Sequence, residues 1–275
     1  MDLADFGNPV EIAKAIHKQI VVPVFPVPIE AIATALDITD IQDLSVKGFA
    51  GALVTTASKT DGLILVQSGD TRRRRFTIGH ELGHFLIPSH IPSAQGFQCK
   101  SAQMRETIDA KNMTNRSNAH WEGQANAFSA ELLMPEAECR KRFRQHREIS
   151  LEVPDKLSRD FDVSMLAATR RYVFLNDEPC ALLSSKDGRV DAIYRPASFP
   201  FIFFKIGSEM PRKSISSNIN TASAMSSVEP TEPSYWVAKE LRNGAEMYEQ
   251  VLVQESGYKL TLLQIDESGC DDDDD

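Results

Sequence analysis

The feature that most constrains this chain is a pair of histidines four residues apart. His80-Glu81-Leu82-Gly83-His84 lies in a run from 75 to 87 with helical apolar spacing, closed by Pro88, and the run predicts a helix. On a helix, positions i and i+4 differ by only about 40° around the axis and about 6 Å along it, so both imidazoles can reach one metal ion. Glu81 stands about 100° from His80, where its carboxylate can take a proton from water at that ion. Ile78, Leu82 and Phe85 occupy the other side and seat the helix on a core. The competing reading makes both histidines ordinary hydrogen-bonding core residues, but buried imidazoles are costly without partners.

Two residues can supply a third ligand. His90 lies ten positions after His80, the metzincin spacing, but that pattern needs glycine at the seventh position and here the residue is Ile87. A β-branched residue is poorly suited to positive φ, and Pro88 pins Ile87 toward an extended conformation. His90 is therefore expected to be a surface loop residue. The other candidate is Glu122, on a second helix expected from 118 to 134 and closed by Pro135. Trp121, Ala125, Phe128 and Leu132 form its buried stripe, with Glu122 and Asn126 along the adjacent edge. Two histidines and a helical glutamate, with Asn126 orienting one imidazole, make the gluzincin arrangement, which leaves a coordination position open for water.

Around these helices the chain reads as α+β. Residues 9–20 and 27–37 are short amphipathic helices, and 48–57 and 61–67 form a hairpin. Four arginines at 72–75 suggest a solvated face or an anion contact. The polar stretch 88–117 is expected to be largely loop, and 140–147 a basic connector. Residues 151–175 form two helices around a tight turn. After 180 the pattern turns to strands: hairpins around Asp187-Gly188 and Ser256-Gly257, with a strand in FIFFKI at 201–206. The Ser/Thr/Asn-rich segment 213–233 is expected to be an exposed loop. The expected domains are thus 1–148, carrying the histidine helix, 149–178, a helix-turn-helix-like segment, and 179–275, a β-rich accessory domain with an acidic tail.

Composition removes several alternatives. Lys and Arg number 30 against 39 Asp and Glu, a net charge of −9. Five of those negatives are the aspartates at 271–275, which leaves the body near about −4, a poor polyanion binder. Cys99, Cys139, Cys180 and Cys270 are widely spaced, which offers neither a zinc ribbon nor a disulfide framework. The N-terminal stretch is acidic with no apolar run, so no secretory signal is expected, and no segment approaches about 18 uninterrupted apolar residues. A soluble protein of a reducing compartment, the cytoplasm, is expected.

RFTIGHELGHFLIP followed by EGQANAFSAELLMP resembles the ImmA/IrrE family of bacterial metallopeptidases. Glu122, Ala125, Asn126, Phe128, Ala130, Leu132, Leu133, Met134 and Pro135 fall on the second motif of that family. Ser129 stands where alanine is usual, and Gln124 at a position often acidic. The likeness spans roughly residues 10–175. It implies a zincin-like domain with His80, His84 and Glu122 holding Zn²⁺, or Mn²⁺ or another divalent ion, and Glu81 as catalytic base. It further implies a protein substrate, a helix-turn-helix repressor whose cleavage derepresses stress or mobile-element genes.

A DNA-binding or antitoxin-like regulator on a zincin scaffold is the alternative, suggested by LSRDFDVSMLAATRRYV at 157–173. The start of its second helix, Ser164-Met165-Leu166-Ala167, offers little to read a base edge, so direct DNA binding is not expected. Arg171 and Tyr172, at the end of that helix, are candidate donors to a transition-state oxyanion. The β-rich region after 180 suits ligand sensing, substrate binding or dimerisation. No membrane partner is expected.

Overall fold

Helices form where an apolar stripe meets strong stop signals, and the computed structural model places both expected histidine-side helices accordingly. It describes residues 7–20, 22–46, 48–92, 97–100, 116–146, 148–238 and 240–270. The acidic tail and much of the 88–117 stretch lie outside the described residues. The chain is α+β and divides into two compact units, Met1–Glu138 with Arg159–Ser164, and Cys139–Ser158 with Met165–Asp275. No helix among the described residues is long and apolar enough to cross a membrane.

The described residues of the first unit include α1 (Pro9–Gln19), α2 (Ile29–Ala35), α3 (Thr71–Leu86) and α4 (Arg116–Leu133). Its strands are β1 (Ile38–Leu44), β2 (Phe49–Thr55), β3 (Gly62–Gln67) and β4 (Phe97–Lys100), in sheet order β1-β3-β2-β4. β1 runs parallel to β3, whereas β2 pairs antiparallel with both β3 and β4. In β3 alternate residues turn inward, so Ile64 and Val66 are fully buried.

α3 starts four residues before the expected point. The Asp70 side chain caps it by accepting from the Arg73 amide at 2.8 Å, which draws the arginine run into the first turns. Three of those four arginines are used internally. Arg74 pairs with Glu30 and Asp43, and Arg72 and Arg75 face Asp162 at 3.3 and 3.5 Å. At its other end Ile87 is extended (φ −74°, ψ 117°), as the proline after it demands. Lys59 from the β2–β3 turn completes that end, its Nζ donating to the carbonyls of His84 and Ile87 at 2.7 and 2.9 Å.

From Thr77 to Phe85 every residue of α3 is buried, because the helix is enclosed by the sheet and by α4. Small residues allow the close approach to α4. A Cβ on Gly83 would stand 3.3 Å from the Cα of Ala125 and 3.0 Å from the Phe128 ring. A Cβ on Gly79 would meet Ser129 Oγ at 2.5 Å. That hydroxyl donates to the Phe76 carbonyl at 2.9 Å, so serine in place of alanine adds a bond between the helices.

The second unit is built on the antiparallel sheet β6-β5-β9-β8-β7. Its strands are β5 (Cys180–Lys186), β6 (Arg189–Tyr194), β7 (Glu229–Pro230), β8 (Glu246–Val253) and β9 (Tyr258–Asp266). Trp236, Phe199, Leu183 and Leu263 anchor the core on one face. Between α4 and β5 in the chain come α5 (Glu136–Phe143), α6 (Glu152–Phe161) and α7 (Met165–Leu175), the last wholly in the second unit. Cys139, Cys180 and Cys270 form no disulfide.

Three expectations are corrected here. The basic connector begins as a helix, α5, whose early Glu136 and Glu138 and late Arg140, Lys141 and Arg142 complement its dipole. FIFFKI is not a strand: it makes one bridge, Ile202 to Val237, and exposes Phe201 and Ile206. The Ser-rich segment is not all exposed: Ser214, buried, caps α8 (Ile215–Asn218), and buried Ser216 donates its backbone N–H to Glu249.

Candidate metal centre

α3 carries His80 and His84 on the side that meets α4, and α4 brings Glu122 to them. One ligand atom from each lies within 4.8 Å of the others. His80 Nε2 is 3.2 Å from Glu122 Oε2, His84 Nε2 is 3.6 Å from Glu122 Oε1, and the two Nε2 atoms are 3.1 Å apart. Both imidazoles are fully buried, while the Glu122 side chain keeps 15% of its surface open.

The outer ring nitrogens are engaged elsewhere. Asn126 Oδ1, which can only accept, sits 2.9 Å from His80 Nδ1, so His80 carries its proton there and presents Nε2 to the centre. His84 Nδ1 is 3.0 Å from His90 Nδ1. Burial opposes a charged His80, yet the Glu122 hydrogen bond and the charges of Glu81 and Glu122 outweigh it, so its pKa is raised. Burial dominates at His84 and takes it down to about 4. Glu122 is pushed up by burial but drawn down to about 2 by its bonds to the two histidines. The centre thus favours a positive charge among three inward-facing acceptors. The donor set, two imidazole nitrogens and a carboxylate, suits a divalent ion such as zinc.

Glu81 is fully buried beside this group, against β2. A Cβ at Gly51 would stand 2.6 Å from Glu81 Oε1 and 2.4 Å from Thr77 Cγ2. Only glycine lets the strand run this close to the carboxylate. A glycine within an apolar strand run was the available signal, but sequence cannot show what approaches it.

His90 is not a surface residue: it is fully buried, its ring 5.4 Å from that of Trp121. Pro88 and the extended Ile87 do exclude the metzincin turn, but the same extension returns the chain to α4. Of the candidate oxyanion donors, Arg171 and Tyr172 belong to α7 in the second unit. There Tyr172 is buried against Phe143, and its hydroxyl engages the Ser150 backbone and Asn176.

A mixed sheet backing a helix that bears two histidines, with a glutamate from a facing helix, defines a zincin-like peptidase domain. Residues 36–172 match the family model of the IrrE N-terminal-like domain, Peptidase_M78. A solved Mycobacterium tuberculosis transcriptional regulator shares the fold at TM-score 0.59 and 14% identity, over 93% of this chain and 76% of that one. No curated protein matches the chain.

Proposed function

We propose that the protein is a metal-dependent endopeptidase, with zinc the first candidate ion, that cuts a helix-turn-helix transcriptional repressor. The observation carrying this reading is the convergence of His80, His84 and Glu122 beside a buried Glu81. When bound, the ion supplies a Lewis acid that activates water and polarises the scissile carbonyl. Glu81 accepts the proton of the attacking water and returns it to the departing amine nitrogen. Asn126 holds His80 in the required tautomer. Tyr172, with its hydroxyl engaged, has no part in this scheme; Arg171, which is partly exposed, is kept as a candidate oxyanion donor.

The neighbour titled a transcriptional regulator is compatible with a regulatory setting, where cleavage relieves repression. A DNA-reading role for α7 has less support: Met165 and Ala168 are buried, and its start exposes Ser164 but no long polar side chain. The test is to incubate zinc-loaded protein with a repressor encoded beside it and to map fragments by mass spectrometry. A single cut by the wild type, absent in a Glu81→Gln variant that retains its zinc, is expected. Equal cutting by that variant would overturn the assignment of Glu81.

A further inference from the structure

We propose that His90 is a positioning residue: held by Gln124, it fixes the tautomer of His84 so that His84 Nε2 faces the metal centre as a bare acceptor. The inference deepens the metal-site reading above and rests on it. Three observations carry it. His90 is fully buried, its Nδ1 lies 3.0 Å from His84 Nδ1, and its Nε2 lies 2.9 Å from Gln124 Oε1.

The direction of this chain follows from counting protons. An amide oxygen only accepts, so Gln124 requires the proton of His90 on Nε2. A neutral imidazole then has an acceptor at Nδ1, and His84 must donate to it from its own Nδ1. His84 has then used its single ring proton at Nδ1, and its Nε2 keeps its lone pair for the centre. Were the Gln124 amide turned about, every donor would reverse, and a hydrogen on His84 Nε2 would occupy the metal position. The centre therefore depends on the orientation of one amide on α4, two residues beyond Glu122.

The surroundings hold His90 in place. Its amide donates to the Ile87 carbonyl at 3.1 Å, and Lys59 Nζ grips that same carbonyl together with that of His84. Trp121 covers its ring, at 32° from parallel. Asn126 does for His80 with an amide what His90 does for His84 with a second imidazole. Partners of this kind typically change metal affinity by about 10–100-fold when removed.

The test uses two variants of the full chain. His90→Leu keeps bulk and removes the acceptor, whereas His90→Asn places an amide oxygen near the position of the imidazole Nδ1. Zinc affinity is read by chelator competition, and the tautomer of His84 by ¹⁵N shifts of the metal-free protein. The expected result is about 10–100-fold weaker zinc binding for His90→Leu, with affinity within about threefold of wild type for His90→Asn. In the metal-free wild type, His84 should carry its proton on Nδ1, and His90→Leu should lose that preference while its melting temperature shows it folded. An unchanged His84 tautomer in folded His90→Leu, or equal weakening in both variants, overturns the relay. Failure of the wild type to bind zinc while the tautomer follows His90 instead overturns the metal-site reading and leaves the relay standing.

Discussion

Glu122 in the first unit and Glu249 in the second are both largely withdrawn from water, yet their surroundings push them in opposite directions. Glu249 is 1% exposed and accepts the backbone N–H groups of Ile215 and Ser216 at 3.1 and 3.0 Å. Burial still prevails and raises its pKa, because neutral donors only partly replace water. Glu122 faces two imidazoles that can share a positive charge, and it is drawn down to about 2. A carboxylate buried to hold a chain together is given backbone donors. One buried beside groups that themselves accept a cation marks a place for chemistry.

The largest effect that sharpens this contrast is expected from Glu122→Ala. Loss of the one anionic ligand should lower metal content from about one ion per chain to a small fraction, read by elemental mass spectrometry on untagged protein. Retention of the ion would break the comparison. Glu81→Gln comes next, with peptide cleavage reduced about 10³-fold at unchanged metal content, measured by product formation from the repressor. Gly51→Ala should lower kcat about 10-fold or more while the metal stays bound, since the added Cβ displaces Glu81 and not a ligand. Equal kcat would show that the strand yields to the methyl group. The smallest effect belongs to the second unit. Glu249→Ala should cost about 1–3 kcal/mol of stability, a modest fall in melting temperature, with zinc affinity unchanged.

The two helices of the centre were legible because their stripes and stops are local. Ile78, Leu82 and Phe85 on one, and Ala125, Phe128 and Leu132 on the other, are buried, with Trp121 at the head of the second stripe only partly so, and Pro88 and Pro135 follow the helix ends closely. The hairpins β5–β6 and β8–β9 were legible for the same reason, each turning on a glycine at positive φ. β1 was not, because ITDIQDL buries only Ile38 fully and shows no two-residue alternation; it is held by pairing with β3 on one side. FIFFKI misled in the reverse sense, being rich in strand formers but lacking a ladder to join. The site followed the same division. His80, His84 and Glu122 announce themselves by spacing and motif, whereas the surroundings of His90 come from Gln124, 34 residues away, and from Lys59 in a turn. Those partners exist only once the chain has folded.

The pairing of the arginine run has a consequence for encounters in solution. Arg72, Arg74 and Arg75 are matched by Asp162, Glu30 and Asp43, so this run does not form an outward basic patch that offsets the net −9. A net charge of −9 disfavours the approach of polyanions and favours that of basic surfaces, the charge that the DNA-binding substrate of the proposed function would carry. Its capture of such a partner should therefore slow as salt is added, through the rate of approach rather than the lifetime of the complex.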